Sequence, residues 1–371
     1  MRSVLISGAS VAGPALAYWL GRHGFAVTVV ERAEGPRRGG QAIDVRGAAL
    51  SVVEWMGVRD AVAARSTDMR GMSFVDSEGT ELHRSTEETL TGGRIDSPDI
   101  EILRDDLAEI LLGIAPAEYV YGDTITAIED RGDDVLVTFE NAEPRGFDLV
   151  VGADGLHSRV RALAFGDEGD YIHHLGVYLA VFTMDNILGL DHWQTYYRTE
   201  TVMAGIYSAR ANTEARGLLG FEGTDLGIDH RDLRAQRDEL TKRFDGAGWK
   251  VQEMLDAMLV APDFYFDSMA QIKMDRWSSG RVALVGDAGY CGSPMSGQGT
   301  SMALVGAYVL AGELSRTDDH AAAFAAYEAK MRPFVELNQT LVERMSEQEP
   351  NHEALQEAAN GISLERYPTT R

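Results

Sequence analysis

The most constraining feature of this chain lies in its first 31 residues. Ser3 to Ser7 (SVLIS) is a short apolar, strand-like run, and GASVAG spans Gly8 to Gly13. Pro14 to Arg22 is an apolar helix-like stretch stopped by Gly24, and Ala26 to Val30 is a second strand rich in β-branched residues, followed by Glu31. Two strands joined by a helix imply a parallel pair with a right-handed crossover. In the turn, Gly8 permits the tight bend and Gly13 the close approach of helix to strand. The helix start offers free N–H groups and a positive dipole end to a pyrophosphate. Ser10 stands where the G-x-G-x-x-G fingerprint has its middle glycine, and Glu31 follows Gly8 by 23 residues. A carboxylate there accepts from both hydroxyls of an adenosine ribose and repels a 2′-phosphate, which suits FAD or NAD and not NADP. A small-residue turn with no nucleotide is the plainer alternative. The strand–helix setting favours the nucleotide.

With 371 residues the chain is long enough for about two domains. Its 34 Lys+Arg against 58 Asp+Glu leave a formal charge of −24, which argues against nucleic acid and against anionic lipid. No apolar run approaches the ~18 residues of a membrane span, and the N-terminus reads as a strand and not as a signal peptide. Cys291 is the only cysteine, so an intramolecular disulfide and a cysteine-based zinc site are excluded and a reducing, cytoplasmic setting is expected. His173 and His174 are adjacent and lack helical metal spacing, so no metal is expected.

Farther along, the pattern predicts a helix near Arg46–Met56, a hairpin over Met72–Leu82 turning at Ser77-Glu78-Gly79, and a helix over Ile100–Ile114. Three strand-like runs follow (ITAIE, VLVTFE, FDLVVG). Ile172 to Phe221 then reads as a separate antiparallel sheet, Asp229–Phe244 and Val251–Leu259 as helices, and Arg281–Val285 as a buried strand. Thr300–Leu314 and Ala321–Met345 read as helices.

Two further motifs sit at strand ends. DLVVGADGLHSRVR, Asp148 to Arg161, is a strand running into an Asp-Gly turn and a helix; taken alone, it is a plain strand–turn–helix. RVALVGDAGYCGSPMSGQGTSMAL, Arg281 to Leu304, is a buried strand ending at Gly286-Asp287, then a Gly/Pro/Ser loop, then Gly297-Gln298-Gly299 opening a helix. Asp287 is placed to accept from a ribityl or ribose hydroxyl, and the Gly297–Gly299 amides point at negative charge. So many glycines cost backbone entropy unless a ligand must approach closely, which weighs against a merely flexible connection.

The three motifs in this order resemble the single-component, FAD-dependent aromatic monooxygenases of the para-hydroxybenzoate hydroxylase type. The resemblance covers essentially the whole chain and is nearest to the shorter, tetracycline-inactivating and polyketide-tailoring members. It implies that the first motif (Gly8, Ser10, Ala12, Gly13, with Glu31 and Arg32) holds the ADP half of FAD. The second (Gly152, Ala153, Asp154, Gly155, Ser158, Arg161) is implied to serve FAD and NAD(P)H. The third (Gly286, Asp287, Ala288, Pro294, Gly297, Gln298, Gly299) is implied to hold the ribityl chain and the ring. Gly39-Gly40-Gln41-Ala42-Ile43-Asp44 resembles the subgroup's G-G-x-x-x-D segment, with Asp44 and Arg46 on the flavin side, and Arg104 resembles its phosphate-reaching arginine. Without the resemblance these read as a surface turn and an exposed helix charge. The chain departs from the pattern at Ser10 for Gly, Tyr290 for His and Ser301 for Asn.

The implied fold is α/β. A discontinuous Rossmann-like FAD-binding domain (1–71, 99–170 and 276–320) carries an inserted β-rich substrate domain (72–98 and 171–275) and a C-terminal helical segment (321–371). The implied reaction consumes NADPH or NADH and inserts one atom of O2, through a flavin hydroperoxide, into a small lipophilic aromatic or polyketide-like substrate. Both hydroxylation and Baeyer–Villiger insertion remain open. No acid–base dyad or nucleophile is required, and no catalytic residue is assigned. The FAD is expected to be non-covalent and the protein a monomer or homodimer. Only one strand–GxSxxG–helix unit is present, so NAD(P)H is expected to bind transiently over Arg37, Arg38 and Arg161. Substrate-lining candidates are Tyr178, Phe182, Trp193, Tyr196, Tyr207 and Phe221, although core packing accounts for most such residues. The alternatives are an FAD-dependent reductase and a non-oxygenating flavin-binding protein. The five tryptophans (19, 55, 193, 249, 277) form no W-x-W pair of the kind a flavin halogenase carries.

Overall fold

The computed structural model describes residues 1–224, 226–347 and 352–368. The run SVLIS forms the strand Ser3–Ser7, paired in parallel with Ala26–Glu31 on one side and Leu149–Gly152 on the other. These belong to a six-stranded sheet in the order 278–279, 282–284, 149–152, 3–7, 26–31, 118–121. Val4, Leu5, Ile6, Val29, Val150 and Val151 are fully buried, the near-continuous apolar pattern of parallel strands covered on both faces. Over this sheet the helix Ala12–Arg22 packs against the long helix Gly299–Arg316, with the Trp19 and Tyr308 rings edge to face at 4.8 Å.

A second, seven-stranded sheet runs 265–272, 172–184, 214–222, 202–209, 194–198, 72–75, 81–85. The antiparallel run expected over Ile172–Phe221 is its centre. The hairpin Met72–Val75/Glu81–Ser85 joins it through a parallel pairing with Gln194–Arg198. One face carries Ala180, Phe182, Ala204, Ile206, Leu219 and Phe221. These form a separate core with Leu240, Phe244, Met254 and Met258 of the helices Leu233–Arg243 and Val251–Val260. Tyr178, Phe182 and Phe221 are therefore core residues and not pocket lining. The opposite face carries Gln194, Tyr196, Tyr207 and Arg216. It meets the first sheet's loops where Tyr207 Oη accepts from the Ala42 N–H (3.1 Å) and Arg216 Nε donates to Gly40 O (3.2 Å).

Three elements differ from the sequence reading. Ile100–Leu103 is a strand paired with Ala42–Val45, and the helix begins only at Arg104. Ile102, Leu103 and Leu107 satisfy the apolar spacing of either structure, so pattern alone did not place the boundary. FDLVVG divides at Asp148: Arg145–Phe147 closes a three-stranded antiparallel sheet, while Leu149–Gly152 enters the main sheet. Asp148 fixes the break by accepting from the backbone N–H (2.6 Å) and Oγ–H (2.8 Å) of Ser3. Tyr265–Ile272 is a strand that the sequence did not announce, because its last five residues are buried without alternation. No helix among the described residues is long and apolar enough to cross a membrane.

Candidate flavin site

The three glycine motifs converge at the C-terminal ends of the parallel strands. Gly8 has φ +105°, and a Cβ there would lie 2.4 Å from Ala153 O; a Cβ on Gly13 would lie 1.9 Å from Gly8 O. The first and second motifs thus touch backbone to backbone. A Cβ on Gly286 (φ +66°) would stand 3.2 Å from the Ala12 Cβ, bringing the third motif against the start of the first helix. Two helix starts, at Ala12 and Gly299, therefore open near one another. Their unpaired N–H groups concentrate positive potential in a chain of net charge −24.

Around this centre the remaining residues take definite places. Glu31 ends its strand with one carboxylate oxygen accepting from the Ala9 N–H (2.9 Å) and the other from the Ala33 N–H (3.0 Å), which leaves lone pairs on both. Arg32 is exposed just beyond. Arg104 donates to Ser10 Oγ (3.3 Å), to Gly39 O (2.6 Å) and to Arg37 O (3.3 Å), so it lies beside the first glycine turn and is no exposed helix charge. Burial lowers its pKa. The Gly39-Gly40 turn that receives it is buried, with φ of +75° and +114°.

In the third motif Gly297 is left-handed (φ +61°), a Cβ there would stand 3.6 Å from Arg46 Nη1, and Pro294 is exposed on the loop's outer side. Gln298 caps the 18-residue helix Gly299–Arg316. Its side chain is fully buried, and both of its amide atoms lack a hydrogen-bond partner. Asp287 lies beside the same helix start, since a Cβ on Gly299 would be 3.8 Å from Asp287 Oδ1; burial raises its pKa. Asp44 and Arg46 are both buried and paired at 2.8 Å, yet Asp44 Oδ1 and Arg46 Nε have no hydrogen-bond partner. Buried polar atoms are normally satisfied, so unpaired atoms from Asp44, Arg46 and Gln298, grouped at one loop, point to a polar ligand.

Some expected residues are engaged elsewhere. Arg161 is fully buried and donates to Ala288 O (2.9 Å), Leu156 O (2.6 Å) and Glu168 (2.7 Å). It therefore does not face a solvent groove for NAD(P)H, and the reason is that it ties the second motif to the third. The Asp154 carboxylate accepts from Ser7 Oγ, Ser158 Oγ and the Arg159 and Val160 N–H groups, so it caps the helix Arg159–Ala164 and stands as a structural residue of the second motif. Tyr290 turns away from the loop into the core, bonded to Tyr327 Oη at 2.9 Å and packed on Trp277. Ser301 accepts from the Arg46 N–H (3.0 Å). Arg37 and Arg38 are exposed. Thr91, Asp99 and Glu101, which lie around Arg46, carry no sequence signal beyond the need of a buried arginine for acceptors and counter-charge.

A protein-family model described as "FAD binding domain" matches residues 1–341. A flavin-dependent monooxygenase of Legionella longbeachae is 42% identical over 338 residues, which cover 91% of this chain and 86% of that one. The chain belongs to this family of FAD-dependent monooxygenases. An uncharacterized protein of Mycobacterium tuberculosis is 58% identical over 92% of this chain and 93% of its own length. The crystal structure of tetracycline destructase Tet(51) superposes with a TM-score of 0.90 at 36% identity, covering 99% of this monooxygenase and 100% of that chain. The site fits FAD. The two helix starts and Arg104 suit the pyrophosphate, Glu31 the ribose, Asp287 a sugar-chain hydroxyl, and the unpaired Gln298 amide the polar edge of the ring.

Proposed function

We propose that this monooxygenase uses NAD(P)H and O2 to add one oxygen atom to a flat, lipophilic, polycyclic molecule of the tetracycline or polyketide kind. The full-length likeness to a tetracycline destructase carries this reading. The sheet supports it: Leu179, Met203 and Gly220 pair side by side on the face opposite the second core. Leu179 and Met203 are half-buried, and a Cβ on Gly220 would meet nothing closer than 3.6 Å. Held by Glu31, Arg104, Asp287 and Gln298, FAD would supply the two-electron redox chemistry that links NAD(P)H to O2. The chain's own work is to hold the cofactor, orient the substrate between the sheet and the Gly297 loop, and keep water out.

In this reading residues 1–71, 99–170 and 276–320 form the FAD-binding unit, and 72–98 with 171–275 the substrate unit. The two separate hydrophobic cores support that division. NAD(P)H docks transiently over the exposed Arg37 and Arg38, beside Arg104. The buried Cys291 fits a reducing cytoplasm. The test is NADPH and NADH oxidation by the purified yellow protein across a panel of tetracyclines and polycyclic phenols, with an oxygen electrode and mass spectrometry. Substrate-stimulated oxidation with a product heavier by one oxygen atom is expected. Reduction of a substrate without O2 uptake would instead support a reductase.

A further inference from the structure

Three carboxylates converge on one buried guanidinium beside the Gly297 loop. Asp44 pairs with Arg46 at 2.8 Å, and Asp99 stands 4.0 Å from Arg46 Nε; all three side chains are 6% exposed. Glu101 is the direct cross-strand partner of Asp44 in the pairing of Ala42–Val45 with Ile100–Leu103. Its two oxygens accept from Thr67 Oγ and Thr91 Oγ, and the Thr91 carbonyl accepts from Arg46 Nη2 (3.2 Å). Among the described residues, the other neighbours add no cation. Gln356 donates to Asp99 from the helix His352–Ala359, Ser301 accepts the Arg46 N–H from the long helix, and Gly93 and Gly297 flank the guanidinium. One positive charge faces three acids in a region closed to water. Full ionisation would leave two uncompensated negative charges, which burial disfavours.

We propose that Asp44 holds a proton in the resting enzyme and is the acid that delivers it to the reacting oxygen at the ring site, with Arg46 stabilising the carboxylate left behind and Glu101 recharging it. The proposal rests on the monooxygenase reading above. That reaction takes substrate, O2, NAD(P)H and one proton to the oxygenated product, NAD(P)+ and water. The nicotinamide hydride supplies the two electrons, one oxygen atom enters the substrate, and the other leaves as water. The Asp44 O–H bond breaks as an O–H bond forms on the departing oxygen. Asp44 Oδ1 is the carboxyl atom without a partner, so it is free to carry the proton toward a ligand. Glu101 leads outward through Thr67, which is half-buried and whose carbonyl accepts from His192. Burial, opposed by Arg46 and reinforced by Glu101, pushes the Asp44 carboxyl up to about 7, and burial also raises Glu101.

The test compares the FAD-loaded wild type with Asp44→Asn and Glu101→Gln. Infrared spectra should show a protonated-carboxyl band that titrates near neutral pH in the wild type and is missing in Asp44→Asn. In Glu101→Gln the midpoint should fall to lower pH, because a like charge is removed. With substrate and saturating FAD, Asp44→Asn should lose product formation by about 100-fold or more, the scale of general-acid catalysis. A wild type without the band, a band unchanged in Asp44→Asn, a midpoint unmoved in Glu101→Gln, or an Asp44→Asn variant with full product yield would each overturn the proposal. Should Asp44→Asn fail to fold, the Glu101→Gln titration still decides. A titrating band in a wild type with no substrate-stimulated oxidation would leave the carboxyl assignment standing and sink the monooxygenase reading of substrate and co-substrate instead.

Discussion

The backbone N–H of Arg46 donates to Ser301 Oγ at 3.0 Å, with both residues buried. This bond joins the segment after Asp44 to the first turn of the helix that Gly299 opens, so Arg46 and the Gly297 loop keep a common frame. Ser301→Ala leaves that N–H unpaired in a closed environment, which costs about 1–3 kcal/mol. Denaturant unfolding should show a loss of that order, with the flavin more easily removed. An unchanged midpoint and unchanged flavin retention would mean that the bond does not couple the two elements.

Gly297 is left-handed and faces Arg46. Valine at that position is strained by the positive φ, and its branched side chain enters the space between the loop and the guanidinium. Gly297→Val should fold, bind FAD weakly, and divert NAD(P)H oxidation to hydrogen peroxide. Peroxide and product assays side by side read this directly; normal flavin content with normal product yield would remove the loop from the ring site.

Asp287 lies beside the Gly299 helix start, where burial raises its pKa. Asp287→Ala removes a charged acceptor, an effect of about 1.5–3 kcal/mol, or roughly a tenfold to hundredfold rise in the FAD dissociation constant. Flavin fluorescence during titration of the apoprotein measures it, and an unaltered constant would place Asp287 outside the contact set.

His157 bridges Glu168 (2.8 Å) and Asp267 (3.1 Å) and stacks on His230 at 4.1 Å. Burial pulls its pKa down, but the two acidic partners prevail and take it to about 9. Because the folded value lies above the unfolded one, this stabilisation is complete below about pH 6.5 and is lost as pH rises through about 9. His157→Gln should therefore lower the melting temperature more at pH 6 than at pH 9.5, by an energy on the order of 2–3 kcal/mol at the acidic end. Equal losses at both pH values would show that the imidazolium charge contributes nothing.

Local chemistry made much of the site legible. Gly8 and Gly13 are glycines because a Cβ would collide with neighbouring backbone, and Gly286 because its φ of +66° disfavours a side chain; such demands show in a strand–turn–helix segment. Glu31 was readable because a strand end has a fixed place relative to the glycine turn. The place of Arg161 is not legible in the sequence, because a charged residue in a motif looks the same whether it faces a solvent groove or ties two buried loops together. The strand Tyr265–Ile272 was missed because continuous burial erases the alternation that marks a strand.

By itself the sequence determined the parallel sheet, the glycine turns, the acidic residue at the end of the second strand and the family. All of these follow from contacts within a few dozen residues, or from spacings that close approach of backbone requires. Only the tertiary structure decided that Asp44, Asp99 and Glu101 surround Arg46, that Ser301 holds its backbone, and that Tyr207 and Arg216 grip the Gly39–Ala42 segment. Those partners lie on different elements far apart in the chain. A buried charge requires compensation but does not specify which distant residue supplies it, so packing makes that choice.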